Sequence, residues 1–201
     1  MPPRGVLWDV GNVIVRWNPR TLYRKIFDED RDLDFFLNEV CPLSWHANTD
    51  LGVTFGENIA ARVAIYPQFR VQIEAWFGRW DEMFSGTIPG TVATMFELAR
   101  NNVPQFGLTN MSSETWPGVQ AMSDCFSVLQ DVVVSAEEGL IKPDAKLFAI
   151  ACRRAGLAPQ DLLFIDDSAT NIEAARALGF HVHRFEEGDD LEGLMKSHSL
   201  L

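Results

Sequence analysis

Four short pieces of this chain carry residue types that chemistry can use. In VLWDVGNVIV a single acid, Asp9, interrupts an apolar run, with Gly11 and Asn12 directly behind it. An isolated carboxylate in a buried segment is costly unless it is paired or holds a metal. Two plainer readings stand beside that one: a strand that ends at Trp8, or a turn capped by Asp9. Further on, Thr109-Asn110 closes an apolar run, Lys142-Pro143 precedes a helical pattern, and Asp166-Asp167 follows LLFI. Pro143 biases Lys142 away from helical geometry, which puts the lysine at a loop–helix junction. Adjacent carboxylates such as Asp166 and Asp167 repel unless a cation separates them. Three acids, one hydroxyl and one ammonium suit Mg²⁺, which takes hard oxygen ligands and waters. Mg²⁺ and a lysine neutralise a phosphate dianion enough for a carboxylate to approach as nucleophile. The Thr109 hydroxyl and nearby backbone N–H groups can then bond its equatorial oxygens.

These residues meet only if several strand ends lie side by side, and the hydrophobic pattern predicts that. Val6–Trp8 is a short buried strand. From residue 86 onward strands and helices alternate: a helix around Val92, Met95, Phe96 and Ala99, then strands over Val103–Leu108 and Val132–Val134. A helix opened by Lys142-Pro143 runs to about Ala155, a strand covers Leu162–Ile165, a helix Asn171–Leu178, and a last strand His181–Phe185. Alternation of this kind implies an α/β parallel sheet covered on both faces, with its site beyond the carboxyl ends of the strands. Residues 17–85 differ. Leu33, Phe36, Leu37 and Val40 recur at helical spacing, as do Ile73, Trp76, Phe77, Trp80, Met83 and Phe84; Phe55, Ile59 and Val63 form a weaker stripe, and Leu22 with Ile26 another. With no strand between them they read as a small bundle inserted after the first strand, with Gly86–Gly90 as the return hinge. Its aromatic load is read as core packing.

Composition narrows the function. The chain has 201 residues, 47% of them hydrophobic, and a formal net charge of −11. That balance argues against nucleic-acid binding, which needs clustered Lys and Arg. A phosphorylated substrate then requires locally concentrated positive charge. No apolar run approaches the ~20 residues that span a bilayer, and the first residues do not read as a secretory signal. Cys41, Cys125 and Cys152 form no CxxC, so neither a disulfide framework nor a zinc site is indicated. A cytoplasmic protein acting on a small molecule is the expectation.

Asp9-Val-Gly-Asn-Val, Leu108-Thr109-Asn110, Gly139-Leu-Ile-Lys142-Pro143-Asp144 and Phe164-Ile-Asp166-Asp167-Ser168-Ala-Thr-Asn171 resemble, in order, the four motifs of the haloacid dehalogenase-like superfamily. The resemblance implies a Rossmann-like, doubly wound core formed by residues 1–16 and 86–201, and a helical cap domain over 17–85. It implies Asp9 as nucleophile, forming an aspartyl-phosphate. Thr109, with Asn110 beside it, would bind the phosphoryl oxygens, and Lys142 would bridge Asp9 and the phosphate. Asp166, Asp167, Asp9 and the Gly11 carbonyl would hold Mg²⁺, with Asn171 orienting the acid pair. The D-x-G-N-V opening is similar to the bacterial sugar-phosphate phosphatase branch, of the glucose-1-phosphatase kind, so a phosphorylated small molecule is the expected substrate.

One departure matters. The phosphatases of that superfamily usually carry a second Asp two residues after the nucleophile, for proton transfer worth ~10²–10⁴ in rate; here that residue is Gly11. Three accounts stand open: a leaving oxygen that is a weak base, a donor from the insert such as His46 in SWHANTD, or a poor phosphatase. His46 also reads as an ordinary loop histidine. Asn12 reads as a turn residue tolerant of left-handed backbone, with a polar contact to substrate as the other reading. His181 and His183, alternating on the last strand, read as structural. The rival chemistries are a metal-independent 2-haloacid dehalogenase, which the acid pair disfavours, and a non-catalytic phospho-accepting or phosphate-binding protein.

Overall fold

The computed structural model describes residues 2–201. At its centre is a five-stranded parallel sheet in the order β5-β4-β1-β6-β7, formed by Gly5–Trp8 (β1), Gln105–Thr109 (β4), Asp131–Val134 (β5), Leu162–Asp166 (β6) and His181–Arg184 (β7). β1 is central and buried on both faces, as its unbroken apolar run dictates. One face packs against Pro89–Arg100 (α6) and Leu191–Ser197 (α11) around Val6, Trp8, Met95 and Met195. The other packs against Ala145–Ala155 (α9) and Ala169–Ala177 (α10) around Leu7, Leu108, Phe148 and Phe164. Trp8 donates its indole N–H to Gln105 Oε1 at 3.1 Å, which satisfies the one polar atom that β1 side chains bury.

Between β1 and β4 the chain leaves the sheet. Val15–Trp17 (β2) and Phe84–Thr87 (β3) pair antiparallel as a two-stranded ribbon, and the helices lie between them. These are Pro19–Tyr23 (α1), Asp30–Phe35 (α2) running on into a wider turn over Phe36–Val40, Leu43–Asp50 (α3), Phe55–Ile65 (α4) and Arg70–Gly78 (α5). They enclose a third apolar cluster of their own around Tyr23, Phe36, Trp45, Ile73 and Trp76. Thr54 and Glu57 cap α4 reciprocally.

The structure adjusts several expectations. The stripe from Ile73 to Phe84 is not one helix: α5 ends at Gly78, a poor helix former, and Trp80–Met83 forms a single tighter turn that keeps both end residues on the cluster. The expected hinge is divided between β3 and α6, because Pro89 suits a first helical position. The strand at Val103 starts two residues later and includes Thr109. Lys142-Pro143 stands outside α9, whose N-cap is Asp144, accepting from the Lys146 N–H at 2.8 Å.

Candidate active site

Because β4, β1 and β6 are neighbours, their carboxyl ends bring Thr109, Asp9 and Asp166 side by side. The turn after β1 is tight. Ile14 and Val15 N–H both donate to the Val10 carbonyl, and Asn12 takes a left-handed backbone with φ 55°. Asp9 Oδ1 accepts from the Val10 N–H at 2.7 Å and from Lys142 Nζ at 2.7 Å. The same ammonium lies 2.7 Å from Asp166 Oδ2. Lys142 is 4% exposed, so its charge is spent wholly on these two carboxylates.

Each member is held in turn. Asn110 accepts from the Lys142 N–H at 2.7 Å and donates to the Lys142 carbonyl at 3.1 Å, fixing the lysine's backbone. Asn171 donates to both Asp166 oxygens at 3.1 and 3.0 Å, and the Ser168 N–H adds a third bond at 2.8 Å. Asn12 accepts from the Trp17 N–H at 3.0 Å and hydrogen-bonds Asp167. It is thus a turn residue whose side chain faces the acid pair.

Carboxylate oxygens of Asp9, Asp166 and Asp167 all lie within 4.8 Å of one another. Burial, and then the neighbouring carboxylates against the opposing pull of Lys142, push Asp9 up to about 7. Asp167 is raised by burial and by Asp166. Lys142 is raised because Asp9 and Asp166 outweigh the burial that would lower it. Three acids against one ammonium leave an excess of buried negative charge, and an oxygen-rich cluster of this size fits a hard divalent cation.

Beside Gly11 the site opens into a cavity of about 120 Å³ between the sheet end and the helical insertion. A Cβ built on Gly11 would meet nothing within 4 Å. Trp17, Trp76, Phe77, Trp80, Met83 and Phe84 wall it from the insertion, and Asn110 and Met111 from the sheet side. His46 is there too, on α3 and not in a loop. Its ring stacks on Trp17 and Phe77, Nδ1 accepts from the Trp76 indole at 3.1 Å, and burial lowers its pKa to about 4. His46 is therefore neutral at pH 7, with the proton on Nε2.

Sequence reasoning missed Asp50. It lies four residues after His46 on the same face of α3 and lines the same cavity. Its Oδ1 is buried without a hydrogen-bond partner, 3.8 Å from His46 Nε2, and burial, opposed by Lys142, raises its pKa to about 7. The i, i+4 spacing within SWHANTD was the available signal. Ser135 Oγ donates to the Asp50 carbonyl at 2.6 Å and accepts from the Met111 N–H at 2.9 Å, tying α3 to the sheet end.

A buried nucleophile-type carboxylate, a lysine and an acid pair at the carboxyl end of a parallel sheet, beneath a helical insertion, define a class of hydrolase. The chain belongs to the haloacid dehalogenase-like hydrolase family, which it matches over residues 3–179. A HAD-family enzyme from Bacteroides thetaiotaomicron, solved in complex with magnesium and inorganic phosphate, has the same fold: TM-score 0.73, 20% identity, 96% of this chain and 98% of that one covered. A dehalogenase structure superposes with a TM-score of 0.68 at 17% identity, over 93% of this chain and 87% of its own. The mouse protein acyl-CoA dehydrogenase family member 10 is 36% identical over 70 residues, 32% of this chain. The matched stretches make up 19% and 6% of the curated relatives' lengths, so those relatives are much longer proteins. Among the described residues no helix is long and apolar enough to cross a membrane.

Proposed function

We propose that this protein is a Mg²⁺-dependent phosphatase that hydrolyses a small phosphate monoester through an aspartyl-phosphate on Asp9. The observation that carries the reading is the convergence of Asp9, Asp166 and Asp167 within 4.8 Å around a single buried ammonium. A dehalogenase working on a carboxylate substrate has no use for that excess of negative charge, whereas a metal–phosphate pair fits it.

Asp9 attacks phosphorus, its carboxylate plane held by the Val10 N–H and Lys142. Lys142 balances charge on Asp9 and on the incoming phosphoryl oxygens. Thr109 binds those oxygens from the end of β4, and Asn110 keeps Lys142 in place. Asp9, Asp166 and Asp167, with the Gly11 carbonyl, would hold Mg²⁺, which supplies further neutralisation of the phosphoryl oxygens. Asn171 and Asn12 orient the two members of the acid pair. Residues 17–85 act as a cap domain over a core of residues 1–16 and 86–201, excluding water and large polymers from the site, so the substrate is small. The free thiols Cys41, Cys125 and Cys152 suit a reducing compartment such as the cytoplasm. A sugar phosphate is the substrate that the opening motif's resemblance suggests. His46 is a poor substitute for an acid at position 11, since a neutral imidazole with Nδ1 already engaged gives up a proton reluctantly. It remains in the cavity as a substrate-facing ring.

Phosphate release from 4-nitrophenyl phosphate with Mg²⁺ tests the reading. Asp9→Asn is expected to cost about 10⁴-fold or more, EDTA is expected to abolish turnover reversibly, and acid quenching is expected to trap a hydroxylamine-sensitive acyl phosphate. Turnover that persists in Asp9→Asn, or metal-independent halide release from 2-haloacids, would overturn it.

A further inference from the structure

The cavity beside Gly11 has walls of a definite chemistry, and they speak to the leaving group. Six of its side chains from the cap are aromatic or thioether: Trp17, Trp76, Phe77, Trp80, Met83 and Phe84. Its few polar groups are nearly all occupied. Asn110 spends its amide on the Lys142 backbone, Thr115 donates its hydroxyl to the Ser112 carbonyl, and His46 Nδ1 takes the Trp76 N–H. Asp50 is the exception. It is 7% exposed, and its Oδ1 has no hydrogen-bond partner.

A sugar entering this space would bury several hydroxyls against rings, and each unpaired hydroxyl costs roughly 1–3 kcal/mol. An aromatic ring meets no such penalty, and stacking against Trp and Phe favours it. The volume agrees: about 120 Å³ is available, and a cavity of about 150 Å³ lined by apolar side chains takes up benzene.

We propose that the cap cleft seats the leaving group of the phosphate ester, that this group is a compact aromatic alcohol, and that a hydroxyl or amine on its ring donates a hydrogen bond to Asp50. The proposal rests on the phosphatase reading and names its substrate class. It also accounts for Gly11. A side chain at that position would project into the cleft where the ring lies, since its Cβ faces open space, and an aromatic alkoxide of phenolic type, with a pKa of about 10, departs without a proton donor.

The test uses the full chain with Mg²⁺ and primary alkyl esters whose scissile bonds are alike: benzyl phosphate, its three ring-hydroxylated isomers, and glucose 6-phosphate. The KM of the best hydroxybenzyl isomer is expected to lie about tenfold or more below that of glucose 6-phosphate, with benzyl phosphate between them. Asp50→Leu is expected to erase the advantage of the hydroxyl by raising KM, with kcat and the benzyl phosphate KM little changed. Asp50→Asn, which keeps an acceptor, is expected to retain most of that advantage. A KM for glucose 6-phosphate at or below that of benzyl phosphate overturns the proposal, as does an Asp50→Leu that impairs all the esters alike. If no ester is hydrolysed, the phosphatase reading fails and binding decides the rest. The indole N–H NMR signals of Trp17, Trp76 and Trp80 are expected to shift saturably with hydroxybenzyl alcohol and not with glucose. Shifts with glucose, or with neither, overturn the leaving-group assignment independently of catalysis.

Discussion

At the sheet end of the site Lys142, Asp9 and Asp166 satisfy one another at 2.7 Å, whereas on the cap side Asp50 lies among rings with an oxygen unpartnered. Both ends are buried, yet charge is concentrated at one and almost absent from the other. The sheet end is built on strand ends and capped helices, with Asn110, Asn171 and Ser168 each fixing a charged residue. Such a site presents the same few charges whatever the rest of the ligand is. The cap end is built from helix faces and a ribbon, and its discrimination comes from ring surface and a single acceptor. The difference teaches that the reaction and its selectivity are carried by separate parts of the chain, so each can be broken without the other.

Lys142→Ala breaks the charged end and carries the largest effect. It leaves Asp9 and Asp166 buried without their cation, which costs about 3 kcal/mol of stability in metal-free protein. It also removes charge stabilisation worth about 10²–10³ in turnover. Urea denaturation and phosphate release measure the two losses. Lys142→Arg is expected to rescue neither, since a planar guanidinium does not fit a point-charge site with two oxygens at 2.7 Å. A Lys142→Ala protein of native stability would mean that the carboxylates are not ionised together.

The two ends also differ in how far they could be read from sequence. The charged end was legible because each of its residues follows a strand whose apolar run announces itself, and sheet order then does the positioning. The turn role of Asn12 was likewise visible in its residue type. The cap end was not. Trp80 and Met83 share a stripe with Ile73, yet the helix stops at Gly78, and the ribbon of β2 and β3 brings Trp17 and Phe84 together across residues with no repeating pattern between them. Asp50 was hidden for a different reason. A carboxylate on a helix reads as solvated, and only tertiary burial against the sheet end makes it a buried group.

Gly11→Asp joins the two ends and is expected to have an intermediate effect. Position 11 has room for a side chain and no left-handed backbone to strain it. A carboxyl there would stand between Asp9 and the cleft, where a leaving oxygen sits. For a primary alkyl ester it is expected to raise kcat by about 10–100-fold, while KM for ring-bearing esters rises as the new side chain takes up cleft volume. Unchanged kcat on alkyl esters would show that proton transfer is not what position 11 lacks.

The smallest expected effect belongs to the ionisation of Asp50, and it is read in stability alone. Its carboxyl titrates near 7 when folded, raised from an ordinary value of 3.8 chiefly by burial. Below about pH 4 the group is protonated in folded and unfolded chains alike and costs nothing. Between pH 4 and 7 the unfolded chain releases the proton that the folded protein keeps, so stability falls as pH rises, by up to about 1.4 kcal/mol per unit. Above pH 7 both states are ionised and the loss is complete. Asp9, also held up to about 7, adds the same trend in both proteins, so the difference between wild type and Asp50→Leu isolates Asp50. Urea midpoints across pH 4–8 in metal-free protein are expected to diverge from pH 4 upward in favour of Asp50→Leu, then run parallel above 7. Parallel profiles throughout would mean that Asp50 is as well solvated as a surface acid, and the contrast between a charged sheet end and an apolar cap end would not hold.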